Sequence, residues 1–120
     1  MAQKILVVDD EPEIREMLEA RLSANGYEVV TAKDGLEAVE KFSEEMPAMV
    51  ILDVLMPRVD GFKVLEIIKN HASSSPVPII MLTAKGESGN ILKAQEMQAT
   101  DYIIKPFKAE ELLAVVKRYL

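Results

Sequence analysis

The sequence predicts an α/β domain in which a five-stranded parallel sheet is covered by helices on both faces. Three observations point there. Short apolar runs alternate five times with longer stretches whose apolar residues recur at helical spacing. The strongest runs, Ile5-Leu6-Val7-Val8 and Met49-Val50-Ile51-Leu52, show no polar alternation, which is the pattern of strands buried on both faces. Finally, 120 residues that are 49% hydrophobic and 28% charged suffice for one domain with an ordinary core.

The first strand is expected over Lys4–Val8. Pro12 suits the first turn of a helix carrying Ile14, Met17, Leu18 and Leu22, which Asn25-Gly26 stops. A second strand spans Tyr27–Ala32, and Asp34 caps a helix bearing Leu36, Val39 and Phe42. The third strand, Met49–Asp53, is cut off by Met56-Pro57. After a turn at Asp60-Gly61, Phe62, Leu65 and Ile68 mark the inner stripe of a third helix. Ser73-Ser74-Ser75-Pro76 reads as a surface loop before a fourth strand, Pro78–Leu82. A weakly apolar helix over Ser88–Met97 turns Ile91, Leu92, Ala94 and Met97 inward. A short fifth strand, Tyr102–Ile104, precedes a final helix with Leu112, Leu113, Val116 and Leu120 facing the core. The scattered methionines (Met17, Met46, Met49, Met56, Met81, Met97) read as core, and His71 as structural near a helix end.

Composition excludes several classes. Without cysteine there is no disulfide or thiolate chemistry. A net charge of −6 argues against direct nucleic-acid binding by this chain. No membrane span or signal-peptide pattern is visible, so the expected compartment is the cytoplasm.

The chemistry emerges where the strands give out. The first ends at Asp9 and Asp10, the third at Asp53, the fourth at Thr83 and the fifth at Lys105. In a parallel sheet these ends share one rim, the edge at which α/β sheets hold ligands, with neighbouring strands about 4.8 Å apart. Three carboxylates there repel by about 4 kcal/mol per pair at about 4 Å and an effective dielectric near 20. A divalent cation, a cationic side chain or protonation relieves this. An all-oxygen set suits Mg²⁺, a lysine suits phosphate, and a threonine hydroxyl can donate to a phosphoryl oxygen. This is what phosphoryl transfer to a carboxylate requires. The plainer readings are an aspartate capping a turn, an acidic pair favouring a helix start, and a threonine capping a strand end.

On Val7-Val8-Asp9-Asp10-Glu11, Leu52-Asp53-Val54-Leu55-Met56-Pro57, Asp60-Gly61, Leu82-Thr83-Ala84 and Tyr102-Ile103-Ile104-Lys105-Pro106-Phe107, the chain resembles a bacterial two-component response-regulator receiver domain along its whole length. The resemblance implies a flavodoxin-like (βα)5 fold of strand order 2-1-3-4-5, with residues 1–120 forming one phosphoacceptor domain. It implies that Asp53 accepts a phosphoryl group from a sensor histidine kinase or phosphotransfer protein. Asp10, Asp53 and the Leu55 carbonyl would bind Mg²⁺, with Asp9 acting through water. Thr83 and Lys105 would hold the phosphoryl group, and Tyr102 would be an aromatic switch reporting to the face built from the fourth helix, fifth strand and fifth helix. Lys105-Pro106 matches the family's cis bond.

Three departures carry expectations of their own. Gln98-Ala99 replaces a common Gly-Ala, so the fourth helix should end differently. Val115 stands where winged-helix members carry an arginine that supports a salt-bridged dimer. Leu55 offers no side chain to orient water, so self-dephosphorylation should be slow. No output module follows the last helix, which fits a stand-alone regulator or one domain of a longer protein. Rival readings are a flavin-binding protein of the same topology, a Mg²⁺-dependent phosphatase with Asp53 as nucleophile, and a degenerate interaction module. The absence of a phosphate-cradling loop opposes the first, Leu55 in place of a second aspartate the second, and the intact five-residue set the third.

Overall fold

A computed structural model describes residues 2–56, 58–71 and 77–120. Pro57 and the proposed Ser73–Pro76 loop lie outside the described residues. The elements run β1 (Lys4–Val8), α1 (Pro12–Ala24), β2 (Glu28–Ala32), α2 (Gly35–Glu45), β3 (Met49–Asp53), α3 (Gly61–His71), β4 (Ile79–Ala84), α4 (Ser88–Glu96), β5 (Asp101–Lys105) and α5 (Ala109–Tyr119). All pairings are parallel, and the order β2-β1-β3-β4-β5 places β1, β3 and β4 centrally.

Strand alternation divides the core into two layers. Leu6, Val8, Val50, Leu52, Ile79 and Met81 face α2, α3 and α4, meeting Phe42, Phe62, Leu65, Ile68 and Ala94. Ile5, Val7, Met49, Ile51, Ile80 and Leu82 face α1 and α5, meeting Leu18, Leu22, Leu112 and Val116. The unbroken apolar runs are thus sheet strands covered on both sides.

Local signals set most boundaries. Pro12 opens α1, and Gly26 (φ +90°) follows its end. Asp34 accepts from the Glu37 N–H while the Glu37 carboxylate accepts from the Lys33 N–H, a reciprocal cap on α2. Gly61 opens α3 where a Cβ would strike the Asp53 carbonyl, so α3 can begin against the end of β3 only with glycine there.

Several expectations need correction. β4 runs on through Thr83 to Ala84, and β5 takes in Asp101 and Lys105, because neighbouring strands pair to the rim. β2 begins at Glu28 rather than Tyr27, and α4 ends at Glu96. Leu36, Leu92 and Met46 are exposed. Leu92 turns out because α4 buries only Ala94 fully, and Met46 is the left-handed cap of α2 (φ 46°). His71 ends α3 and meets the Phe42 ring edge-on at 6.1 Å. No described helix is long and apolar enough to cross a membrane.

Candidate functional site

The rim formed by β1, β3, β4 and β5 gathers Asp9, Asp10, Asp53, Thr83 and Lys105. Asp9 lies one residue beyond β1, with its N–H donating to the Ala32 carbonyl at 3.2 Å. Its Oδ1 accepts from the Glu11 N–H at 2.9 Å, so the turn into α1 holds the carboxylate. The Arg15 guanidinium, one turn into α1, donates to the Asp9 carbonyl oxygen at 2.7 Å. Asp53 is the last residue of β3, with Oδ1 accepting from the Leu55 N–H at 3.4 Å. Asp9 and Asp53 are buried and Asp10 is exposed.

Lys105 reaches into this cluster from the end of β5. Its Nζ is 2.9 Å from Asp9 Oδ2, 3.3 Å from Glu11 Oε1 and 3.4 Å from Asp53 Oδ2. One cation therefore serves three carboxylates, and Asp10 adds a fourth. The Asp9 contact is an ion pair without hydrogen-bond alignment, so Asp9 Oδ2 is a buried oxygen that accepts no hydrogen bond. Thr83 Oγ1 on β4 is likewise buried without a hydrogen-bond partner. A buried polar atom left unsatisfied costs about 1–3 kcal/mol, so the Thr83 hydroxyl, which has no ion pair to offset that cost, is free to serve a bound group.

The titration behaviour follows from this crowding. Burial, then the Asp9 carboxylate, push the Asp53 carboxyl from 3.8 to about 7, against the opposing pull of Lys105 and the Leu55 N–H. Burial works to lower the Lys105 pKa, yet Asp9, Asp53 and Glu11 outweigh it and hold the ammonium above its usual value. The cluster lacks positive charge.

That deficit gives a fit test for a divalent cation. One oxygen from each of Asp9, Asp10 and Asp53 lies within 4.8 Å of the others. The donors are hard oxygens, two of them buried, and one buried oxygen accepts no hydrogen bond. Such a set suits Mg²⁺, which prefers carboxylate oxygen and retains water on its open side.

Of the five residues singled out at the strand ends, Asp9, Asp10, Asp53 and Lys105 are brought together, and Thr83 stands on the same rim at the end of β4. Tyr102 lies apart from them on β5, half-buried against the α2–α4 side of the core. It borders a surface hollow of about 180 Å³ with Ala94, Gln95, Ala99, Thr100 and Asp101. The Lys105-Pro106 bond is cis. Sequence reasoning missed Glu11, Arg15 and Gly61 as neighbours of the site. Glu11 was visible in the first motif but was given no role, and Arg15 announces itself solely by following it at i+4.

Comparison with known proteins agrees with this geometry. The family described as "Response regulator receiver domain" matches residues 5–117. "Probable transcriptional regulator ycf27" of Guillardia theta is 49% identical over 118 residues, covering 98% of this chain and 45% of that protein. The alkaline phosphatase synthesis transcriptional regulatory protein PhoP of Bacillus subtilis is 42% identical, covering 100% of this chain and 49% of that protein. The chain thus spans about half the length of these curated relatives. Among solved structures, the Vibrio cholerae chemotaxis protein CheY4 matches with TM-score 0.92 and 35% identity over 100% of both chains. NtrX of Brucella abortus matches with TM-score 0.92 and 37% identity, over 100% of this chain and 27% of that one.

Proposed function

Because this chain belongs to the response regulator receiver domain family, we propose that it is a phosphorylation-controlled switch whose acceptor is Asp53. Residues 1–120 act as one phosphoacceptor unit, alone or within a longer regulator. The donor is the phosphohistidine of a sensor histidine kinase or phosphotransfer protein. One observation carries the reading. A buried carboxylate lies 3.4 Å from a lysine ammonium and among other carboxylate oxygens, and on the neighbouring strand, one residue past its register partner Leu82, the Thr83 hydroxyl has no partner.

An Asp53 oxygen attacks phosphorus, the P–N bond to the donor imidazole breaks, and an acyl phosphate forms. The pocket leaves no room for three uncompensated carboxylates beside a phosphoryl dianion. Asp10, Asp53 and the Leu55 carbonyl would hold Mg²⁺, with Asp9 acting through water. Bound there, the metal would supply charge neutralisation at the carboxylates and the phosphoryl oxygens. Lys105 pairs with one phosphoryl oxygen and the Thr83 hydroxyl donates to another, which satisfies the unpaired Thr83 Oγ1. Tyr102, on the edge of its hollow, follows Thr83 inward and changes the face built from α4, β5 and α5. The phosphoryl group shifts the population only so far as it binds that arrangement better. The domain catalyses its own phosphorylation and its slow loss, and otherwise acts as a switch rather than a turnover enzyme.

The test is intact mass after incubation with acetyl phosphate, with and without Mg²⁺, beside Asp53→Ala. A Mg²⁺-dependent gain of one phosphoryl group, absent from the variant, is expected. A gain that survives Asp53→Ala rules out Asp53 as the acceptor.

A further inference from the structure

We infer that Glu11 is a positioning residue for Lys105: before phosphorylation its carboxylate claims part of the ammonium, and the incoming phosphoryl group must take Lys105 from it. This rests on the phosphoacceptor reading and adds a residue to which that reading gives no role.

The three partners of Lys105 differ in how easily they release it. Asp9 and Asp53 are fixed at the ends of central strands and buried, so neither can turn out to water when Lys105 moves away. The Glu11 side chain is 59% exposed and reaches across the rim from the residue just before α1. Its carboxylate regains water on release, so this contact is the one that yields. Glu11 also stands outside the group of aspartate oxygens that could hold a metal. Its one strong polar contact among the described side chains is therefore the 3.3 Å pair with Lys105. A residue so placed slows capture of an anion by Lys105 and loosens the product.

The size follows from the exposure. Solvent-facing ion pairs are worth little, so releasing Lys105 should change a rate or lifetime by about two- to fivefold. Screening by salt should shrink that factor.

The experiment compares the whole chain with Glu11→Gln and Glu11→Asp. The first removes the charge; the second keeps it on an arm shorter by about 1.5 Å, which no longer reaches Lys105. Phosphorylation by acetyl phosphate in Mg²⁺ is followed by intact mass. In metal-free protein labelled with ¹⁵N at lysine Nζ, the Lys105 ammonium signal is recorded independently of activity. Both variants should be phosphorylated about two- to fivefold faster at low salt and should move the Lys105 signal. Acceleration in Glu11→Gln alone would mean that Glu11 merely repels the anionic donor, which overturns the inference. Unchanged rates in both variants, or an unmoved Lys105 signal, overturn it as well. A wild-type chain that takes up no phosphoryl group would instead sink the phosphoacceptor reading, a distinguishable failure.

Discussion

Asp53 illustrates how a single carboxyl can carry both instability and function. Its pKa of about 7 against an ordinary 3.8 means that the metal-free folded state holds a proton which the unfolded chain has already released. A carboxyl raised in this way contributes stability that is fully present below about pH 4 and is lost as pH rises through about 7. Metal-free protein should therefore lose on the order of 2–4 kcal/mol across that window from this residue, since each tenfold change in proton affinity is worth about 1.4 kcal/mol. Urea melts from pH 4.5 to 8 check this, and Asp53→Asn should flatten the dependence and stabilise the metal-free protein above pH 7. A variant as pH-sensitive as the wild type would place the effect elsewhere. Leu55 acts at the same scale. Its side chain is exposed beside the acceptor yet cannot hydrogen-bond water. Leu55→Asn should shorten the phosphoryl lifetime by up to about tenfold, the worth of one modest hydrogen bond to the attacking water. Decay followed by mass after removal of the donor decides it, and an unchanged lifetime refutes it. The core site residues were legible because strand ends share a rim. Glu11, Arg15 and Gly61 were not, because their roles depend on where a loop folds back rather than on any spacing in the chain.

Among the elements, α4 is the least anchored. Only Ala94 is fully buried on it, and two lysine contacts link it and its end to α3. Lys93 Nζ lies 4.7 Å from the centre of the Phe62 ring. Lys69 Nζ donates to the Gln98 carbonyl at 2.9 Å, just past the helix end. That end explains why Gln98 in place of glycine did not redirect the chain. Gln98 adopts the left-handed conformation (φ 61°), and the Ala99 N–H donates to the Ala94 carbonyl at 2.9 Å, as a glycine-terminated helix would. The tertiary contacts impose the shape and the glutamine bears the strain, about 1 kcal/mol. Gln98→Gly should therefore stabilise the protein by up to about 0.6 kcal/mol, the strain relief less the added freedom of the unfolded chain. A denaturant midpoint that falls instead would show that the Gln98 side chain contributes more than its backbone costs. The same weak attachment blurred the inward face of α4 rather than its existence: Leu92, expected to turn inward, has no core to face. By contrast the inner stripe of α3 was predicted at Phe62, Leu65 and Ile68, all of them buried, with Val64 buried beside them.

At the scale of the molecule, the fold was readable because three central strands must be apolar on both faces, and that requirement leaves few other architectures. Strand ends were less readable, since β4 and β5 lengthen one another by pairing out to Ala84 and Lys105, a cooperative effect that no local window contains. The same architecture makes the candidate metal site a property of the folded state alone. Asp9 and Asp10 follow β1, whereas Asp53 ends β3, and they converge only when these strands pair. A ligand bound by the native but not the unfolded chain stabilises by mass action, about 2.7 kcal/mol at a hundredfold excess over Kd. For a domain of this size Mg²⁺ should then raise Tm by on the order of 10 °C. The gain should grow as pH passes about 7, because the cation competes with the proton held at Asp53. Asp10→Asn should remove most of it while leaving metal-free stability nearly unchanged, since Asp10 is exposed. Thermal melts in Mg²⁺, against NaCl matched in ionic strength, separate specific binding from screening. An equal response to both salts would mean that the three aspartates tolerate one another through Lys105 and the Asp53 proton alone.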